Sequence, residues 1–339
     1  MLSRSTLLDR HCAGAVTSTT AGAAQPGRMR RTQTVGYADP VTSKLAVVTV
    51  TYWSGDHLQT FLRSLSHAAA SPPRVVIADN GSGDGAPEAA EREYANVTLV
   101  RSGGNVGYGG GINRAVAELD DEVEFVMIAN PDVEWTPGSI DELVAAAARW
   151  PRAGALGPLI REPDGSVYPS ARRVPDLVSG TGHALLGGIW KSNPWTAAYR
   201  ADDVEPSERP VGWLSGSCLL VRRTAFDEIS GFDERYFMYM EDVDLGDRLG
   251  RAGWLNVYVP GAEVVHTKGH SADKRPEAML PAHHRSAYRF QADRHPGALQ
   301  APLRWALRAG LAVRSRVAVR AVARTTSSHV HPHSERNTP

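Results

Sequence analysis

Cysteine is nearly absent from this chain: Cys12 and Cys218 are the only two. They stand far apart, which argues against a disulfide framework and points to a reducing, cytosolic setting. No run of 18 or more apolar residues occurs, so no membrane-spanning helix is expected. The N-terminus lacks the unbroken apolar core of a secretory signal. An excess of one charge is missing too. Lys+Arg and Asp+Glu each total 37, and that balance gives no reason to expect a nucleic-acid partner. Two phosphate-loop signatures are also absent. The stretch "GGNVGYGGGINRAV" (103–116) is rich in glycine, yet no Lys follows it as in a triphosphate loop. Ile112 stands where a dinucleotide fingerprint needs its third glycine. The stretch also follows the third expected strand rather than the first, which disfavours a Rossmann oxidoreductase.

What is present is an alternation. "LAVVTVTY" (45–52), "RVVIAD" (74–79), "VTLVR" (97–101) and "EFVMIAN" (124–130) read as buried strands. Helical periods separate them: Leu58, Phe61, Leu62 and Leu65 share one face, and Val116 and Leu119 follow the glycine stretch. Another helix is expected to begin with Thr136 as cap and Pro137 in its first position. This βαβα order predicts an α/β fold with an open, mainly parallel sheet covered on both faces. Beyond residue 150 the pattern changes. A hairpin turning at Pro163-Asp164-Gly165, a loop over 174–210, a strand over 212–223, a helix over 240–254 and the strand "LNVYVP" are expected. Residues 1–43, rich in Ser, Thr, Ala, Gly and Arg, read as disordered, with Met29 an alternative start. The expected organisation is a domain over 44–285, a basic helical tail over 286–325 and a disordered terminus over 326–339.

In open α/β sheets, ligands gather beyond the carboxyl ends of the strands. Asp79, with Asn80 beside it, closes the second strand; Asp132 follows the fourth; Glu241 and Asp242 open a late helix. A carboxylate at a strand end needs water or a partner. Asp79 suits the N–H groups of a nucleotide base. Asp132 offers Mg²⁺ or Mn²⁺ a hard oxygen ligand. The Glu241–Asp242 pair offers a general base, while Asp244 is expected to pair with Arg248 one turn on. Asn105, Asn113 and Arg114 punctuate the glycine stretch, where small residues let backbone approach a ligand.

These motifs resemble inverting family 2 glycosyltransferases of the GT-A fold. The resemblance spans roughly 45–270 and rests on "VVTVTYWSGDHLQTFLRSL", "VVIADNGSGDG", "NVGYGGGINRAV", "ANPDVEW" and "GSCLLVRRTAFDEISGFDERYFMYMEDVDLGDRLGRAGW". Within the family it is nearest to actinobacterial enzymes that move L-rhamnose from dTDP-L-rhamnose to a GlcNAc-diphospho-polyprenol, a step of cell-wall arabinogalactan linker assembly. The resemblance implies that Thr51, Tyr52 and Asp79 hold the base, and that Asn105, Gly107 and Asn113 belong to the nucleotide-sugar loop. Asn130 stands where the family's first metal-motif acid lies, and Asp132 keeps the second. His266 matches a metal- or diphosphate-binding histidine, Lys268 is a candidate partner for the departing diphosphate, and Asp242 matches the general base. Other readings remain: a family 2 enzyme using UDP-galactofuranose or UDP-glucose, or a nucleotide-sugar-binding protein without catalysis. The spacing of His266 and His270 invites zinc, but no Glu follows His266 as in a zinc-protease helix.

The tail differs in composition. Six arginines and no acid lie between Leu299 and Arg324. Leu303, Leu307 and Leu311 form one stripe, and Arg316, Arg320 and Arg324 another. The alternatives are a helix lying on an anionic membrane surface and a helix packed on the domain by its leucines. With a lipid-linked acceptor, the expected location is cytoplasmic, peripheral on the inner face of the plasma membrane.

Overall fold

The computed structural model describes residues 44–175, 206–267 and 276–328. The segment 1–43, most of the expected loop over 174–210, and Lys268 and His270 lie outside the described residues. The chain runs β1 (Leu45–Thr51), α1 (Asp56–Ala68), β2 (Arg74–Asp79), α2 (Ala86–Glu93), β3 (Val97–Arg101), α3 (Gly107–Ala117), β4 (Phe125–Ala129), β5 (Val133–Trp135) and α4 (Ser139–Arg149). Next come β6 (Ala153–Arg161), β7 (Val167–Tyr168), β8 (Ala171–Arg172), β9 (Arg209–Val211), β10 (Trp213–Leu214), β11 (Cys218–Arg222), α5 (Arg223–Glu228), α6 (Glu241–Arg251) and β12 (Leu255–His266). Two helices close it, α7 (Pro276–Arg294) and α8 (Ala301–Ser328).

One sheet holds ten strands in the order β3-β2-β1-β4-β11-β6-β12-β5, with β7 beside β6 and β9 beside β12. The pairs β1–β2, β2–β3, β1–β4 and β6–β12 are parallel. Strand β11 runs antiparallel between β4 and β6. The carboxyl ends of β1, β2, β4, β6 and β12 therefore share one edge with the start of β11. All seven residues of β1 are buried, which is why its sequence is a continuous apolar run. On one face Val47, Leu58, Phe61, Ile140 and Leu143 pack together under α1 and α4. On the other, Val48, Ile112, Val116, Phe226, Leu245 and Leu249 pack under α3, α5 and α6. Burial of each such large apolar side chain contributes about 1.5–3 kcal/mol.

Four expectations change, the first being the strand expected over 212–223, which is two strands, β10 and β11, in different sheets. The helix expected from Thr136 begins instead at Ser139, with Gly138 left-handed ahead of it. The Thr136 hydroxyl donates to the Glu263 carbonyl at 2.6 Å, so it ties β5 to β12 and does not cap. The last strand runs past "LNVYVP" to His266, with register shifts that absorb an irregularity between Val259 and Glu263. The boundary expected at 285/286 falls inside α7, whose Phe290 is 1% exposed.

The glycine stretch is mostly a packing device. A Cβ on Gly111 would stand 2.7 Å from the Val50 side chain. Gly107 has φ +82, and a Cβ there would collide with the Phe237 carbonyl oxygen, which accepts the Tyr108 N–H at 3.3 Å. Gly107→Ala therefore meets a steric collision as well as an unfavourable φ. Gly103, at φ +72 with open space around it, meets the φ cost alone, about 1–2 kcal/mol. Denaturant midpoints should show Gly107→Ala clearly less stable than Gly103→Ala. Equal losses would mean that the Phe237 contact does not constrain the loop.

Candidate active site

The shared strand edge gathers most of the residues singled out from the sequence. At the end of β1 lies Thr51, fully buried, and at the end of β2 Asp79, 1% exposed. Asp79 Oδ1 accepts the Thr51 hydroxyl at 3.2 Å and the Ser82 N–H at 2.9 Å, and Oδ2 accepts Arg101 Nη1 at 2.9 Å. Three donors thus offset the burial of this carboxylate. Tyr52 is exposed beside them, and Trp53 adopts a left-handed φ of 57° and lies over Gly83.

Asn80 extends the group. Its Nδ2 donates to the Gly107 carbonyl at 3.0 Å and lies 3.4 Å from Asn105 Oδ1. Asn105 Oδ1 also accepts the Gly107 N–H at 3.1 Å, and Asn105 itself is exposed. Asn113 sits elsewhere. Its Nδ2 donates to the Phe232 carbonyl at 2.8 Å and to Glu234 at 3.2 Å, while its Oδ1 accepts the Phe232 N–H at 2.9 Å. Its amide therefore latches α3 to the turn before α6. Arg114 donates to the Ser102 carbonyl at 2.7 Å.

A second group forms where β4 and β12 end and β5 begins. His266 Nε2 stands 3.0 Å from Asp132 Oδ1 and 3.3 Å from Asn130 Nδ2. His266 is buried, and its Nδ1 has no partner. The backbone holds the trio: Thr267 N–H donates to the Asp132 carbonyl at 3.1 Å, and Asn130 N–H to the Ser217 carbonyl at 2.9 Å. Among the described residues, no third His, Cys, Asp or Glu completes a metal-binding cluster.

The third group opens α6. Asp242 Oδ2 accepts the Gly216 N–H at 3.0 Å, and Oδ1 accepts the Val243 N–H at 2.8 Å. Burial pushes the Asp242 carboxyl above the usual aspartate range, opposed by those two N–H groups. Glu241 is pushed up as well, by burial first and by the charge of Asp242 second. Its Oε2 is buried without a partner. Asp244 pairs with Arg248 at 2.6 Å, as the spacing predicted.

Two participants escaped sequence reasoning. Tyr108 donates its hydroxyl to the Gly216 carbonyl at 2.6 Å, and burial holds its phenol well above the ordinary tyrosine range, protonated and donating. Gly216 itself links Tyr108 to Asp242, and a Cβ on it would press on the Asp242 Cβ at 3.1 Å. Nothing in the local sequence marks a contact spanning 108 residues. Cys218, at the start of β11, is buried and its thiol is pushed up by that burial alone, so it is packing, not a nucleophile.

The Glu241 shift has a thermodynamic sign. The folded chain holds this proton to higher pH than the unfolded chain, so stability falls as pH rises from the ordinary glutamate range through the raised value. Asp242 shifts in the same direction and adds to the fall. Glu241→Gln should flatten this loss in melting curves taken between about pH 5 and pH 9. An unchanged slope would show that Glu241 is not the titrating group.

Comparison with known proteins bears on the family and the fold. The glycosyl transferase family 2 model matches residues 46–230. That match stops before Glu241, Asp242 and His266. The chain is 61% identical over 289 residues to the N-acetylglucosaminyl-diphospho-decaprenol L-rhamnosyltransferase of Mycobacterium tuberculosis, covering 83% of this chain and 94% of that protein. It is 26% identical over 252 residues to rhamnosyltransferase WbbL of Escherichia coli K12, covering 73% and 92%. The crystal structure of GalNAc-T7 with UDP, GalNAc and Mn2+ shares the fold at a TM-score of 0.50 and 16% identity, over 67% of this chain and 44% of that one. The mixed, mainly parallel sheet with helices on both faces is the expected GT-A-like α/β architecture. By family match and high identity alike, this chain belongs to glycosyl transferase family 2 and is a glycosyltransferase.

Proposed function

We propose that this enzyme transfers L-rhamnose from dTDP-L-rhamnose to a GlcNAc-diphospho-polyprenol with inversion at the anomeric carbon, serving cell-wall linker assembly. The observation that carries the chemistry is Asp242: a half-buried carboxylate with raised pKa, fixed by two N–H groups at the strand edge. Identity to the mycobacterial rhamnosyltransferase supports the sugar and the acceptor. Thr51, Tyr52, Asp79 and Asn80 form the wall that receives the nucleotide base, and Asn105, an exposed amide beside Asn80, reaches the sugar. Asp242 takes the proton of the acceptor hydroxyl as that oxygen attacks the anomeric carbon and the nucleoside diphosphate departs. One base and no covalent nucleophile make a single displacement, so the centre inverts. Glu241, held protonated beside it, keeps a second negative charge away from the base.

A divalent ion fits the Asp132–His266 pair. Two neighbouring ligands of an octahedral ion, each at about 2.1 Å, stand about 3 Å apart, and Asp132 Oδ1 and His266 Nε2 are 3.0 Å apart. Asn130 lies at the same place as a neutral neighbour. When bound, Mg²⁺ or Mn²⁺ neutralises charge on the departing diphosphate. The decisive assay offers dTDP-L-rhamnose and UDP-sugars with a short-chain GlcNAc-diphosphate lipid, with and without EDTA. Rhamnose should be the sugar transferred, EDTA should abolish transfer, and Asp242→Asn should lower kcat by roughly 100-fold or more with donor binding retained. Preference for a UDP-sugar would overturn the donor, and near-normal Asp242→Asn turnover the base.

The enzyme meets its lipid acceptor at the cytoplasmic face of an anionic membrane. No described helix is long and apolar enough to cross a membrane, yet α8 exposes Leu299 before it and Leu303, Trp305 and Val313 along it. Leu307 and Leu311 of the expected stripe are half-buried as α8 packs back on α7. Arg308 lies over the Tyr288 ring. Exposed Trp and Leu among arginines suit an anionic lipid interface. Removing residues after 298 should release the protein from phosphatidylglycerol vesicles; undiminished sedimentation with them would assign α8 a purely structural role.

A further inference from the structure

We propose that α7 is a clamp that positions the general base, with Ser286 as its positioning residue. The proposal rests on Asp242 being that base. Immediately before Glu241 and Asp242, two successive non-glycine residues are left-handed: Tyr239 at φ 66° and Met240 at φ 68°. L residues rarely adopt this conformation. It persists where surrounding structure over-determines it, and such sites cluster where function needs a fixed geometry. Here the two residues reverse the chain into α6, so that Asp242 meets Gly216.

One helix supplies the restraint. Ser286 Oγ donates to the Met238 carbonyl at 3.0 Å, at the peptide that leads into Tyr239. The Tyr239 ring meets His283 edge-on, with centroids 5.3 Å apart. Phe290 fills a cluster with Trp213, Tyr236 and Val243, against which Met240 packs. Arg235 pairs with Asp293 at 2.8 Å, and Arg294 pairs with Asp247 on the far side of the reversal. These contacts bracket residues 235–247 from both ends. Phe290 and the ion pairs hold the helix in place, and within the described part of α7 it is the Ser286 hydroxyl that bonds the backbone carbonyl next to the strained pair. Ser286 is buried, so deleting its hydroxyl leaves a carbonyl without its donor. It acts on catalysis only through the chain it holds.

A double-mutant cycle on the full-length protein tests this. Glycine adopts a left-handed φ without penalty, so Met240→Gly should make the clamp dispensable. With dTDP-L-rhamnose and the short-chain GlcNAc-diphosphate lipid, Ser286→Ala should lower kcat by about tenfold with donor KM unchanged, the cost of a slightly misplaced group. Ser286→Thr, which keeps the hydroxyl, should retain turnover. In the Met240→Gly background the Ser286→Ala loss should shrink to about twofold or less, a coupling that simple packing does not produce. Equal losses in both backgrounds, or a raised donor KM with kcat intact, would overturn the clamp. Should Ser286→Ala alone fold poorly, recovery of fold and kcat in the double variant supports the proposal and failure to recover defeats it. The Asp242→Asn enzyme in the same assay separates the two readings. If it is active, the base assignment falls; if it is inactive while the cycle is flat, only the clamp falls.

Discussion

The peptide of Gly216 is the point on which the site depends. Its N–H is donated to Asp242, its carbonyl accepts Tyr108, and the next carbonyl, of Ser217, accepts the N–H of Asn130. One turn entering β11 therefore joins the carboxylate at the head of α6, the glycine-rich first turn of α3, and the Asn130–Asp132–His266 group. The antiparallel placement of β11 makes this possible. Its first residues arrive at the edge where the parallel strands end, so backbone groups left unpaired by the sheet are available to side chains. A larger residue at 216 would press on Asp242 directly.

The three polar groups differ in how their burial is compensated. Asp79 has a hydroxyl, a backbone N–H and a guanidinium around it. Asp132 faces an imidazole whose other nitrogen is unpartnered. Asp242 has two backbone N–H groups and the charge of Arg172 acting on it, and Glu241 has an unpartnered oxygen. Partners thin out from the end of β2 toward the head of α6. A fully compensated carboxylate is a scaffold, whereas one whose desolvation outweighs its partners has a raised pKa and is ready to take a proton. The same gradient is why Glu241 and Asp242 are expected to lower stability as pH rises: folding brings two carboxyls together in a desolvated place that the unfolded chain never creates.

The tail divides into two parts with different work. Helix α7 packs on the segment leading into α6 through Phe290, Ser286 and two ion pairs. Helix α8 packs on α7 and turns Trp305 and Val313 outward. The surface proposed to meet lipid is thus one helix removed from the segment that leads into Asp242.

The sequence by itself determined the alternation of buried strands and amphipathic helices, because burial on two faces or one leaves a period that any reader can count. It also determined that Asp79, Asp132 and Asp242 lie at element ends, and that the glycine stretch is no known phosphate loop. Even the Asp244–Arg248 pair was legible, since helical spacing is local. Only the tertiary structure decided which of these residues meet. The glycines at 107 and 111 are there because Phe237 and Val50 leave no room for a Cβ. Asn113 latches Phe232, Thr136 ties β5 to β12, and Tyr108 reaches Gly216 across 108 positions. The physical reason is common to all of them. Periodicity records what a residue does within its own element, whereas a hydrogen bond or a close approach between elements depends on where the sheet order brings distant segments, and that order leaves no local trace.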